Sequence, residues 1–115
     1  MSSASETGAL PLQIEVEELA RWREQGRTHA LLDIREPWEV ELCRIEGSIE
    51  LPMGELPGRV GELPRDQPVV VLCHHGVRSL KAALWLRGQG LAQTINLAGG
   101  IDAWAHRIDR AMPTY

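Results

Sequence analysis

Cys73 stands where the run Val69-Val70-Val71-Leu72 gives way to His74-His75-Gly76-Val77-Arg78-Ser79, ahead of a helix-forming stretch from Leu80. A short run that is apolar on both faces reads as a fully covered strand. The thiol therefore lies at the carboxyl end of a strand, in a loop that leads into a helix, and ligands of open α/β sheets bind at that edge. The first N–H groups of a helix have no internal partner and carry partial positive charge, so they favour thiolate over thiol and also suit an anionic substrate. Gly76 admits the positive φ that a tight loop needs if its amides are to turn inward. Arg78 places a cation on the unfavourable side of the helix dipole and calls for a bound anion. Ser79 reads as the N-cap, with Leu80, Ala83 and Leu84 at the spacing of a packed helical face. The chemistry implied is that of a reactive cysteine.

The other titratable residues fit around that centre. His74 and His75 read as walls of a pocket. Cys73 and the histidines His29, His74, His75 and His106 show no recognisable ligand spacing, so neither a metal nor a cofactor is expected. Asp33 ends a strand that should neighbour the central one. Its carboxylate is expected to hold geometry by accepting hydrogen bonds from the reactive loop or from Arg35, with Arg35 and Glu36 as a local ion pair. Cys43 reads as a packed thiol, the alternative being a partner that resolves an oxidised Cys73. Trp22, Trp38, Trp85 and Trp104 are read as core or rim aromatics in a chain without phenylalanine.

These residues need a scaffold, and the chain supplies one by alternating short apolar runs with amphipathic segments. That is the rhythm of an α/β fold, a parallel sheet covered by helices on both faces. Strands are expected near 12–14 and over 30–33, 48–51, 69–72 and 94–97. Helices are expected over 16–25, 36–42, from Leu80 onward to the glycines at 88 and 90, and from Gly99-Gly100 through Trp104. Pro57, Gly58 and Gly61 leave room for only a short helix between 55 and 63.

At 115 residues the chain holds one domain with a real core, and its 43% hydrophobic and 24% charged content is ordinary for a globular protein. Residues 1–8 read as a flexible polar tail ahead of a single domain over 9–115. A net charge of -4 and the lack of a basic stripe argue against nucleic acid as a partner. There is no signal-like leader and no apolar run of membrane-spanning length, so a cytoplasmic location is expected.

The loop Cys73-His74-His75-Gly76-Val77-Arg78-Ser79 resembles the C-x-x-G-x-R-S loop of the single-domain rhodaneses, the thiosulfate sulfurtransferases. Leu32-Asp33-Ile34-Arg35-Glu36 is similar to their L-D-x-R-E segment, and Leu97-Ala98-Gly99-Gly100-Ile101-Asp102-Ala103-Trp104 to their closing L-x-G-G-x-x-x-W. The resemblance implies a five-stranded parallel sheet flanked by helices, with the active loop after the fourth strand. It departs at Cys43-Arg44-Ile45-Glu46-Gly47-Ser48, where G-H-I-P-G-A is usual. Four residues separate Cys73 from Arg78, as in sulfur-transferring members, whereas phosphatase and arsenate-reducing relatives have a longer C-x5-R loop. The implied reaction passes sulfane sulfur from thiosulfate through a Cys73 persulfide to cyanide, a small thiol or a protein thiol. The persulfide is cradled by the loop from His74 to Ser79. A persulfide relay fed by a partner protein, and a sensor without turnover, are the alternatives.

Overall fold

The computed structural model describes residues 10–115; the expected tail over 1–8 lies outside the described residues. Strands β1 (Gln13–Ile14), β2 (Ala30–Asp33), β3 (Ile49–Glu50), β4 (Val69–Leu72) and β5 (Thr94–Leu97) alternate with helices α1 (Val16–Glu24), α2 (Pro37–Leu42), α3 (Leu56–Arg59), α4 (Val77–Gly88) and α5 (Gly100–Arg107). Single 3-10 turns, Met53–Glu55 and Val60–Glu62, flank α3. All neighbouring strands run parallel in the order β1-β5-β4-β2-β3. This is the five-stranded α/β sheet that the residue pattern and the resemblance imply.

Successive side chains of a strand point to opposite faces, so a fully covered strand feeds two cores. In β4, Val70 and Leu72 join a cluster with Val16, Leu19 and Trp22 of α1 and with Ile101 and Trp104 of α5. Val69, Val71 and Cys73 join the other, with Ala82, Ala83 and Leu86 of α4. Cys73 and Cys43 thus belong to cores on opposite faces of the sheet. The outer strand β3 is exposed. No helix among the described residues is long and apolar enough to cross a membrane.

Helix α4 departs from expectation in start and face. It begins at Val77, with Gly76 as N-cap at φ 93°, and Ser79 is its third residue, making no cap. The buried face is Ser79, Ala82, Ala83 and Leu86, while Leu84 is exposed. A serine at the head of that face breaks the apolar pattern, so apolar spacing alone points to Leu80 and Leu84 beside Ala83. Helix α5 continues beyond Trp104 to Arg107.

The β5–α5 joint braces the loop after β4. Ile101 and Asp102 donate their backbone N–H groups to the carbonyls of Cys73 and His74 at 2.9 and 3.0 Å. Gly100, at φ 61°, has no room for a side chain, because a Cβ there would collide with those same two carbonyls. Gly100→Ala should therefore cost about 1–3 kcal/mol in denaturant unfolding. Gly58→Ala, facing open space, should change stability by less than about 0.5 kcal/mol. Equal effects of the two would refute a tight joint.

Candidate active site

Cys73 follows β4 directly, and the chain then turns through Gly76 into α4. The turn points two backbone donors at the sulfur: the N–H groups of Gly76 and Ser79, at 3.2 and 3.3 Å from Sγ. Ser79 Oγ is also 3.3 Å away. Among the amides from His74 to Ser79, these two are the ones that hydrogen-bond Sγ itself. A later donor is committed elsewhere, since Leu80 N–H goes to the Gly76 carbonyl. The sulfur itself is well covered, with Cys73 1% exposed. Beside it, Val77 projects into solvent at 65% exposure.

The anion that Arg78 requires comes from the protein. Its Nη1 and Nη2 donate to Oε1 and Oε2 of Glu39, both at 2.9 Å, a bidentate pair. Glu39 lies on α2 and is 4% exposed. Arg78's pKa is raised chiefly by that pair, with a smaller Coulombic contribution from Cys73. The hydrogen bonds from Arg78 hold the Glu39 carboxyl down at about 2, against the opposing pull of burial, with the Glu36 N–H and the Tyr115 hydroxyl assisting.

Asp33 and Arg35 form a fully buried ion pair, with Nη2 to Oδ2 at 2.7 Å and Nε to Oδ1 at 2.9 Å. Of the two partners open to Asp33, the structure selects Arg35, and the expected Arg35–Glu36 pair does not form. Glu36 instead caps α2 in a reciprocal capping box with Glu39. The remaining Arg35 donors reach the carbonyls of Glu39 (3.1 Å) and Cys43 (2.7 Å) and the Tyr115 hydroxyl (3.0 Å). Burial opposes the charge of Arg35, but Asp33 and Tyr115 raise its pKa above the usual arginine value. Burial pushes the Tyr115 hydroxyl up to about 12, so it stays protonated at neutral pH and donates to Glu39 Oε2 at 2.9 Å.

The Tyr115 ring stacks on His74 at 3.8 Å and 7°, and His74 stacks on His75 at 3.9 Å and 27°. The Nε2 atom of His74 is buried without a hydrogen-bond partner. Ligand atoms of His74, His75 and Asp102 lie within 4.8 Å of one another, a grouping that sequence spacing did not show. Imidazole lone pairs lie in the ring plane, so rings stacked nearly parallel do not converge on one ion. The trio as it stands is a poor chelate. Trp38 is 61% exposed and sits edge-on to Tyr115.

Three polar residues of this network carry no sequence motif. Glu39 is one of three glutamates between 36 and 41, with nothing local to mark it from the others. Asn96, which accepts the Ser79 hydroxyl at 2.6 Å, is a fully buried amide in the strand Thr94-Ile95-Asn96-Leu97, and an amide there is the one available signal for it. Tyr115 had none, since it contacts residues 76 and 80 positions away.

A family model described as a rhodanese-like domain matches residues 15–107. The chain is 39% identical over 93 residues to a sulfurtransferase of Allochromatium vinosum, covering 81% of this chain and 87% of that protein. It is 34% identical over 98 residues to the thiosulfate sulfurtransferase GlpE of Vibrio cholerae, covering 85% and 91%. Some curated relatives are longer, and the chain spans 26% of the length of one of them. A rhodanese-related protein of Thermoplasma volcanium superposes with a TM-score of 0.72 at 32% identity, over 85% of this chain and 94% of that one.

The Glu39 pair has a measurable consequence. A carboxylate held near 2 against an ordinary 4.5 contributes stability that is fully present above the higher value and lost as pH falls through the lower. Glu39→Gln should therefore destabilise the protein by about 2 kcal/mol at pH 7, after discounting for the solvent around Arg78. In urea unfolding the difference should shrink steadily between pH 4.5 and 2; a constant difference across that window would count against the pair.

Proposed function

We propose a function from the premise that this chain belongs to the rhodanese-like domain family: it is a sulfurtransferase that carries sulfane sulfur on Cys73. The observation that carries this reading is the pair of backbone N–H groups, from Gly76 and Ser79, aimed at one sulfur atom at the head of α4. Such donors are fixed by the fold before reaction and need no reorganisation as charge gathers on sulfur.

In the first half-reaction the Cys73 thiolate attacks the outer sulfur of thiosulfate. The S–S bond of thiosulfate breaks, sulfite leaves with the bonding pair, and a Cys73 persulfide remains. In the second, a nucleophile, either cyanide or a thiolate, attacks the outer sulfur and the Cys73 thiolate departs with its electrons. This is covalent catalysis in two steps. Arg78, neutralised through two of its donors by Glu39, keeps others for an anionic donor at the loop. Asp33 and Arg35 act on the loop only through α2, whose Glu39 pairs with Arg78, and stay out of the chemistry. His74 and His75 shape its wall.

A protein thiol as acceptor is the second reading. It is favoured by Val77 and Trp38, apolar and more than half exposed, on the reactive loop and on the helix whose Glu39 pairs with that loop. The relay form of the function would use that surface. The sensor form would leave a nucleophile in its amide cradle unused.

Intact-mass measurement after thiosulfate treatment should show a gain of one sulfur, discharged on adding cyanide or thiol and missing from Cys73→Ser. Two-substrate kinetics should give parallel reciprocal lines. Intersecting lines with no sulfur adduct would overturn the assignment.

A further inference from the structure

The side chain of Asn96 is the only group beyond Ser79 that connects the sulfur to the interior of the sheet by hydrogen bonds among the described residues. Its Nδ2 donates to the Gly76 carbonyl at 3.2 Å and to Gln13 Oε1 at 3.1 Å. Both amide hydrogens are thereby spent, which fixes the orientation of the group and turns Oδ1 toward Ser79. The Ser79 hydroxyl donates to that Oδ1 at 2.6 Å. A hydroxyl has one hydrogen. With that hydrogen on Asn96, Ser79 faces Cys73 Sγ with a lone pair and accepts the thiol hydrogen across 3.3 Å.

We propose that Asn96 is a positioning residue for the nucleophile: it withholds the Ser79 hydroxyl from Cys73, so that the resting cysteine is held as a hydrogen-bond donor. When Cys73 ionises, the hydroxyl hydrogen swings from Asn96 to the sulfur. The gain is a charge-assisted hydrogen bond to a buried anion; the loss is a buried amide oxygen left without its donor. The two are of similar size, so Asn96 sets the balance between thiol and thiolate.

The charged groups around Cys73 do not enter this contest. Arg78, on α4, acts on the sulfur through its field and is tied to Glu39 of α2. Asp33, at the end of β2, is locked to Arg35. In the loop, His75 meets Asp102 of α5 at 3.8 Å, and His74 stacks between His75 and Tyr115. None of them hydrogen-bonds Ser79 or Asn96.

The inference rests on Cys73 being the sulfur-bearing nucleophile, but its test reads ionisation and not transfer, so the two fail separately. The pH titration of the Cys73 Cβ carbon resonance is followed in wild type, Asn96→Ala, Ser79→Ala and the double variant. Asn96→Ala should move the midpoint down by about half a pH unit or more, and in the Ser79→Ala background the same change should do nothing. If Asn96 only braces the loop, its loss slackens the amide cradle, the midpoint rises, and the effect persists without Ser79; that result overturns the proposal. Wild type gives a second reading that needs no Asn96 variant. The Asn96 side-chain carbonyl carbon should shift with the Cys73 midpoint by more than it does in Ser79→Ala. An equal shift in the two proteins sinks the proposal even if Asn96→Ala does not fold.

Discussion

An arginine sealed from water at the carboxyl edge of a parallel sheet must find an acceptor for every N–H it carries. Arg35 does so by gathering Asp33 at the end of β2, the carbonyls of Glu39 and Cys43 at and just beyond α2, and the Tyr115 hydroxyl from the far end of the chain. Removing one partner of such a buried pair costs about 3–5 kcal/mol, because the other charge stays behind unpaired. The demand fixes where α2 lies against the sheet. From that helix Glu39 reaches Arg78. The position of the loop cation thus traces back to a charge at the neighbouring strand's end that never touches the sulfur.

The loop is held from its other side by a second helix. The first N–H groups of α5 are donated to the carbonyls of Cys73 and His74, while those at the head of α4 turn to the sulfur. Two helix N-termini therefore grip one short segment, one by its carbonyls and one by its side chain. Backbones can approach that closely only without a Cβ. That accounts for glycine at 76, where a side chain would meet the Gly99 amide and the Leu97 carbonyl, and at 100.

Most of the elements were legible because each writes a local pattern. The glycine at 76, the proline at 37 and the apolar run over 69–72 have consequences within a few residues of themselves, and strands β2, β4 and β5 stand where those patterns put them. The misreadings share another character. Ser79 reads as a cap because a serine beside a helix start commonly is one; only the proximity of β5 shows it packed inward against Asn96. The counter-ion of Arg78 is hidden in the same way, because Glu39 lies 39 positions away.

What the sequence determined alone was the alternation of strand and helix, the placing of Cys73 at a strand's carboxyl end, and the left-handed turn at Gly76 that carries it into a helix. These follow from hydrophobic periodicity and backbone sterics, which act along the chain. The tertiary structure decided who answers the buried groups whose partners lie far along the chain: Glu39 for Arg78, Asn96 for Ser79. Burial makes such pairing obligatory but does not name the partner. The partner is named by the strand order, which sets β4 between β2 and β5 and so brings to one sulfur atom side chains that the chain itself keeps far apart.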